Sequence, residues 1–308
     1  MSKNVVDSII EFDGNFGFIP SRRQVDYNGG YVNKWTTGEF TKYVNGRVPI
    51  ERDHGGIGQG YKYDDGMESF MHDCRYFDRI HIDPWKEYKD FDTGLQETID
   101  CINFIYLVMG KKKIKFEVGT EESIRRFEVD ELEILLRHLE GKLEPEIFEN
   151  IEYVVVQSGV ELDLEKHNNA GKFDPDRLEK MINVCKTFGK KSKEHNGDYL
   201  STKEYKDRFD MGLDSINIAP EFGQLETLGY LEEMGEDIDE YYNICYESKR
   251  WEKWVDKTFI PEDNKRELIE ICGHYVFSDE SFLDIKPNID DKIKSVIKDK
   301  LRELNELT

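Results

Sequence analysis

The chain has 308 residues, enough for one large core, and its 65 acidic against 43 basic side chains give a formal charge of −22. That field repels nucleic acid and anionic lipid, so neither is expected as a partner, and a phosphorylated substrate needs local basic help. No run reaches the roughly 18 apolar residues that span a bilayer, and "MSKNVVDSIIEFDGN" lacks a signal-peptide apolar core, so a cytoplasmic protein is expected. Cys74, Cys101, Cys185, Cys245 and Cys272 lie at wide intervals without CxxC spacing and read as reduced, buried thiols.

In chain order, short β-like runs alternate with helical patterns. "FGFIP" (16–20) and "VPIER" (48–52) come first, the second running into Asp53, His54 and two glycines; "FDRIHID" (77–83) follows. "TGLQETIDCINFIYLVMG" has apolar residues at helical spacing, and "KIKFEVG" (113–119) reads as a strand whose "KKKIK" entrance (111–115) is a solvated charge run. After the helical "VDELEILLRHLEG" come the buried strand "YVVVQSG" (153–159), the helix "DPDRLEKMINVCKTFG", the weaker polar strand "KKSKEHNG" (190–197) and "SINIAP" (215–220). From about Asp237 the pattern is helical without strands.

Strands alternating with helices predict a mostly parallel sheet with helices outside. His54, His81, Glu117, Glu161, His195 and Asn217 fall at or just past successive strand ends, near the interval of roughly 31 residues that an eight-unit barrel of about 250 residues allots to each unit. The expectation is an α/β fold: a TIM (β/α)8-type barrel over residues 1–236, with a helical extension over 237–308 packed on it or on a partner subunit. No GxGxxG or GxxxxGK[ST] follows a strand, so a nucleotide fold has no motif behind it.

The strand ends carry the candidate chemistry. An Asp-His pair before Gly55-Gly56 binds a metal, moves a proton or caps a turn, and the glycines let backbone approach a ligand. Glu117 ends "FEVG", and Glu161 follows an apolar strand and a glycine, where a buried carboxylate needs a cation or a proton. His195 sits before Asn196 and Gly197, a tight turn in which Asp198 could orient an imidazole or take a proton. His81 and Asp83 share one side of their strand, either joining the site or merely closing the strand before Pro84. Asn217 is an amide that a buried strand seldom spends without a purpose. Imidazoles with carboxylates suit Zn²⁺, Mn²⁺, Fe²⁺ or Co²⁺, and a metal on a carbonyl oxygen stabilises the enolate of an aldolase or epimerase reaction. His72, His138, His167 and His274 lie on helical or loop patterns outside this set.

"RRQVDYNGGYVNKWTTGEF" (22–40) followed by "RDHGG", then "RIHIDPW", "FEVGTE", "VVVQSGVELD", "KEHNGDYLS" and the tail "SKRWEKWVDKTF…HYVFSDESF" occur in the order of similar segments in one family. The chain resembles the D-tagatose-1,6-bisphosphate aldolase non-catalytic subunit family, relatives of the class II ketose-bisphosphate aldolases, from about residue 16 to its end. The resemblance implies a TIM barrel whose first βα unit is missing or remade by residues 1–14. It implies that Asp53 handles the substrate hydroxyl proton, that His54, Glu161 and His195 hold a divalent metal, and that Asn217 contacts the three-carbon portion; the strand-end Glu117 is expected as a further metal ligand. Gln24, Asp83, Gly197 and Ser215 would then touch substrate. Glu161 stands where those aldolases carry histidine, which favours Mn²⁺ or Fe²⁺ over Zn²⁺. The function implied is a metal-dependent sugar (phosphate) aldolase or related lyase or epimerase. The alternative is a non-catalytic partner subunit that stabilises a separate class II tagatose-bisphosphate-type aldolase, with Trp251, Trp254, Tyr275 and Phe277 as contact anchors. The partners expected are a small sugar or sugar phosphate and further copies of the chain or a second aldolase subunit.

Overall fold

The structure is a computed structural model that describes residues 2–109 and 114–307, so the 111–113 part of the basic run lies outside the described residues. It opens with α1 (Lys3–Phe12), capped by the Ser2 hydroxyl, which accepts from the Val5 amide, and α2 (Thr37–Val44), which starts in a Thr36–Glu39 capping box. Strands and helices then alternate: β1 (Glu51–Gly55), α3 (Met67–Tyr76), β2 (Arg79–Ile82), α4 (Phe91–Met109), β3 (Lys115–Val118), α5 (Val129–Lys142), α6 (Pro145–Phe148) and β4 (Ile151–Val156). A small hairpin, β5 (Leu162–Asp163) and β6 (Asn168–Asn169), precedes α7 (Pro175–Thr187), β7 (Lys191–Glu194), α8 (Thr202–Asp210), β8 (Ser215–Ile216) and α9 (Pro220–Met234). The tail is α10 (Asp239–Ser248), α11 (Lys265–Cys272), α12 (Glu280–Ile285) and α13 (Asp290–Asn305).

Six strands form one parallel sheet in the order β1-β2-β3-β4-β7-β8. At about 4.8 Å per strand, a flat sheet would hold β1 and β7 roughly 19 Å apart. Instead Lys193 Nζ on β7 lies 2.7 Å from Glu51 Oε2 on β1, so the sheet is curled and encloses an interior. Strand alternation divides the side chains accordingly. Ile80, Ile82, Phe116, Val118, Val154 and Val156 face the surrounding helices and build the main core with Leu132, Leu136, Leu178 and Met181. The other face turns inward and is largely ionic, with Glu51, Arg79 and Lys193 in one layer and Asp53, His81, Glu117 and His195 in the next. Branched apolar residues dominate this layer in most barrels of the type.

The expected closed eight-stranded barrel is corrected to six paired strands with an open seam. The 16–20 run makes no regular strand: Phe18 and Ser21 form isolated bridges to Ile50 and Asp53, and Pro20 accepts from the Asp53 amide at 3.1 Å but has no N–H to return. On the other edge, β8 is two residues long before Pro220 opens α9. Among the described residues these two edges do not pair, and a cavity of about 390 Å³ lies between them, covered by Val5 and Ile9 of α1 and by Leu301 and Leu304 of α13. Residues 3–12 form a helix over this seam and not a strand. The tail shares a second core with α1, α8 and α9, into which Trp251, Trp254, Tyr275 and Phe277 pack. All five cysteines are buried. Among the described residues no helix is long and apolar enough to cross a membrane.

Candidate metal centre

Three imidazoles meet at the C-terminal ends of β1, β2 and β7, with ring centroids 5.1 Å (His54–His81), 5.3 Å (His54–His195) and 5.0 Å (His81–His195) apart. Successive strand residues normally point to opposite faces, yet Asp53 and His54 share this centre. His54 has φ 46°, a left-handed backbone that swings its ring back to the side of Asp53. Gly55 makes the turn possible, because a Cβ there would stand 2.7 Å from the Phe70 ring and 2.9 Å from the His81 carbonyl oxygen.

Each ring spends one nitrogen outward. His54 Nδ1 is 2.5 Å from Asp83 Oδ2, His81 Nε2 is 3.0 Å from the Gly119 carbonyl oxygen, and His195 Nε2 is 2.6 Å from Glu117 Oε1. Donating there places the other nitrogen's lone pair inward, where that of His81 Nδ1 also accepts from the His54 amide at 3.4 Å. His54 Nε2, His195 Nδ1 and His81 Nδ1 lie 3.5, 3.9 and 4.0 Å from a single atom, Asp53 Oδ1. That oxygen is buried and has no hydrogen-bond partner among the described residues. Outward anchoring of each imidazole on a carboxylate or carbonyl is the arrangement that orients histidine ligands. Donors about 2.0–2.2 Å from one ion stand apart by distances of this order. The residues present therefore fit a divalent cation, and the combinations of His81 and His195 with Asp53, and of His54 and His195 with Glu121, each offer donor atoms within 4.8 Å of one another.

The local charges agree. Burial by itself would raise Asp53, but His54, His195 and His81 hold it below the usual carboxylate range. Burial would depress His54, yet Asp53, Asp83 and Glu121 outweigh it and hold the imidazole well above its ordinary value; His81 is raised in the same way by Glu117 and Asp53. Glu117, buried and unfavourable as an anion on that ground, is held well below the usual range by Lys193, His81 and His195. Ionised carboxylates around imidazoles that attract protons form a cation-seeking pocket.

Asp53, His54 and His195 thus come together as the sequence suggests, and His81 joins them. Glu161 does not: Gly159 at φ 92° turns the chain out of β4, and Glu161 is exposed beside the β5–β6 hairpin, its amide donating to Asn169 Oδ1 at 3.0 Å. His81, not Glu161, faces the other two imidazoles. Glu117 and Asp83 stand behind the imidazoles, and Asp83 also forms a candidate donor group with His54 and His81. Glu117 divides its oxygens between His195 and Lys193; Asp83 holds His54 while accepting from Thr120 Oγ1 at 3.2 Å. Asp198 caps a helix: between Asn196 and Tyr199, both at positive φ, its Oδ1 accepts from the Ala219 and Glu221 amides, each at 2.9 Å, at the start of α9. Burial pushes that carboxyl up to about 7. Gln24, Ser215 and Asn217 line the seam cavity, and Gly197 lies against β8, where a Cβ would meet Ile216 Cγ2 at 2.1 Å. Glu121, 3.5 Å from His54 Nε2 through Oε2, was missed; its signal was a second acid one turn beyond "FEVG".

Around the mouth, Arg23, Lys86, Arg250 and Lys253 have no carboxylate within 4.0 Å among the described residues, although acids outnumber bases in the chain. Aromatic rings hold two of them: Arg250 lies 4.8 Å from the Tyr31 centroid and donates to Tyr61 Oη at 2.7 Å, and Lys253 lies 4.1 Å from the Trp254 ring; Lys86 Nζ donates to the Gly58 carbonyl oxygen at 3.2 Å. Burial of its stem, with the charges of Arg23, Arg250 and Lys86 beside it, pushes Lys253 down to about 8, against the pull of Glu121 from the centre.

No family model matches the chain, and no curated protein does. Solved structures do. A probable tagatose 6 phosphate kinase from Sinorhizobium meliloti 1021 superposes with a TM-score of 0.73 at 13% identity, over 99% of this chain and 97% of that one. The YdjI aldolase from Escherichia coli K12 gives 0.58 at 12%, over 99% and 85% of the two chains. The fructose-bisphosphate aldolase of Campylobacter jejuni gives 0.57 at 11%, over 98% and 86%. The fructuronate-tagaturonate epimerase UxaE of Cohnella laeviribosi gives 0.60 at 11%, over 86% and 69%. The chain therefore has the fold of aldolase-like and epimerase-like proteins of sugar metabolism.

Proposed function

We propose that the protein is a metal-dependent aldolase, or a related lyase or epimerase, acting on an anionic ketose. The observation that carries this reading is the convergence of three outward-anchored imidazoles on the unpartnered Asp53 Oδ1. His54, His81 and His195 would hold a divalent ion, which would serve as a Lewis acid on a ketose carbonyl oxygen. Asp53 stands beside that position and its side chain is 17% exposed, so it can accept a proton from a sugar hydroxyl. Glu121, whose Oε2 is also 3.5 Å from His54 Nε2, gives the proton a second carboxylate. Gln24, Ser215 and Asn217 offer polar groups to the three-carbon part of a substrate that enters the seam cavity. Arg23, Lys86, Arg250 and Lys253 offer charge to a phosphate or carboxylate at its far end. The neighbours in fold are described as acting on tagatose 6 phosphate, on fructose-bisphosphate, and on fructuronate and tagaturonate, which suits an anionic six-carbon sugar.

The test begins with metal content per chain on protein purified without chelator, then screens ketose phosphates and keto-hexuronates with the loaded protein. Turnover should stop with chelator and in Asp53→Asn, and Arg250→Ala with Lys253→Ala should raise KM more than they lower kcat. No bound metal after soaking with Zn²⁺, Mn²⁺ or Fe²⁺, or full turnover in Asp53→Asn, would refute the reading.

A further inference from the structure

We infer that Lys193 is a positioning residue for the centre: it anchors one oxygen of Glu117 so that the other fixes the orientation and tautomer of His195. The inference rests on the proposed function only in treating His195 as a ligand.

Lys193 lies on β7 two residues before His195, so both side chains enter the interior on the same face. Its side chain is 2% exposed, and its ammonium touches Glu117 Oε2 while lying 2.7 Å from Glu51 Oε2. Arg79 Nη1 meets the same Glu51 oxygen at 2.8 Å, and the Tyr153 ring lies 4.8 Å from Lys193 Nζ and 4.6 Å from the Arg79 guanidinium. Glu117 is fully buried and divides its two oxygens, one to the ammonium and one to His195 Nε2 at 2.6 Å.

The consequence is geometric. The last torsion of a glutamate is soft, so a carboxylate tied at one oxygen can rotate, and one tied at both cannot. With Oε2 held by Lys193, Oε1 can only face His195 Nε2, which must carry the hydrogen; the lone pair of Nδ1 is then the one turned to Asp53. An apolar interior layer, the usual filling of such barrels, could not do this. Lys193 therefore links the ionic layer of the barrel to the orientation of a group at its mouth.

The test uses the whole chain. Nitrogen-15 imidazole spectra of metal-free protein, with His195 assigned by its loss in His195→Gln, should show one Nε2–H tautomer in wild type. Lys193→Met, similar in length and uncharged, should give a mixture of tautomers. Glu51→Gln disturbs the same buried network but leaves the line from Lys193 through Glu117 to His195, and should keep the single tautomer. In metal titrations with a competing chelator, Lys193→Met should weaken Zn²⁺ binding about 10–100-fold, as loss of an outer partner does. Glu117→Gln should cost as much, and the double variant no more than the larger single one. A single tautomer retained in Lys193→Met overturns the inference. So does a mixture in Glu51→Gln or in wild type, and the Glu51→Gln result stands even if Lys193→Met does not fold. Tautomers that behave as expected in a protein that takes up no metal would support the Lys193 inference while refuting the proposed function.

Discussion

Removing Arg52 should cost the protein a large part of its stability, by an amount that depends on pH. Arg52 precedes Asp53 on β1 and points the other way, fully buried. Its Nε and Nη2 donate to Asp73 of α3 at 2.8 and 2.7 Å, and its Nη1 donates to the Pro20 and Val25 carbonyl oxygens at 2.8 and 2.7 Å. One guanidinium thus ties the irregular edge segment and a helix to the strand that carries Asp53 and His54. Arg52→Met leaves Asp73 buried without its cation, about 3–5 kcal/mol when one member of such a pair is lost. Each of the two orphaned carbonyls adds about 1 kcal/mol or more. The sum approaches the lower end of the 5–15 kcal/mol by which domains are commonly stable. Asp73 is already raised, because burial outweighs Arg52, and without the guanidinium it rises further. A folded-state value above the unfolded one means that the native protein takes up a proton before the unfolded chain does, so the variant regains stability as pH falls. The deficit of Arg52→Met in urea unfolding should therefore shrink between pH 7 and pH 5, by up to about 1.4 kcal/mol per unit. Arg52→Met/Asp73→Leu should recover most of the loss at pH 7. A loss below about 1 kcal/mol, or one that does not change with pH, would refute this account of the pair.

Three further outcomes are expected. His81→Ala should weaken divalent metal binding beyond the 10–100-fold typical of outer partners, whereas Glu161→Gln should leave it unchanged; chelator competition on both variants distinguishes the two residues as ligands. His274 is buried beside Tyr275, and burial, with Lys253 and Arg250 nearby, holds it well below its ordinary value. The unfolded chain therefore binds a proton below about pH 6.5 that the native state refuses, so wild type should lose about 1 kcal/mol more than His274→Phe between pH 7 and 5.5, read as the shift in their urea midpoints. Gly94→Ala drives a Cβ to 2.4 Å from Trp85 Cζ3 and should lower thermal stability by about 1–3 kcal/mol, with no loss if α4 simply shifts away.

Periodicity alone was enough for the alternation of strands and helices, and it located β2, β3, β4 and β7 to within a few residues. It also marked His54 and His195 as strand-end residues, since imidazoles followed by glycine or asparagine-glycine have few local explanations. It placed β1 too early, at 48–52, because the β-branched run "VPI" outweighed the polar "ERDHG" that in fact pairs with β2. A polar strand is legible only once the sheet curls and its ionic face becomes the interior. The choice between Glu161 and His81 lay in the same gap. Glu161 follows an apolar strand and His81 lies within an alternating one, and only the positive φ at Gly159, which turns one out to solvent, and the curl that gathers β1, β2 and β7, which brings the other in, decide which faces the centre. The open seam depended on Pro20, whose missing N–H is written in the sequence but whose partner strand is not. What the sequence by itself determined was the order of elements and the residue types at their ends, because these follow from short-range steric and solvation preferences. Which carboxylates anchor an imidazole, which cap a helix and which face water was decided only by contacts between residues far apart in the chain.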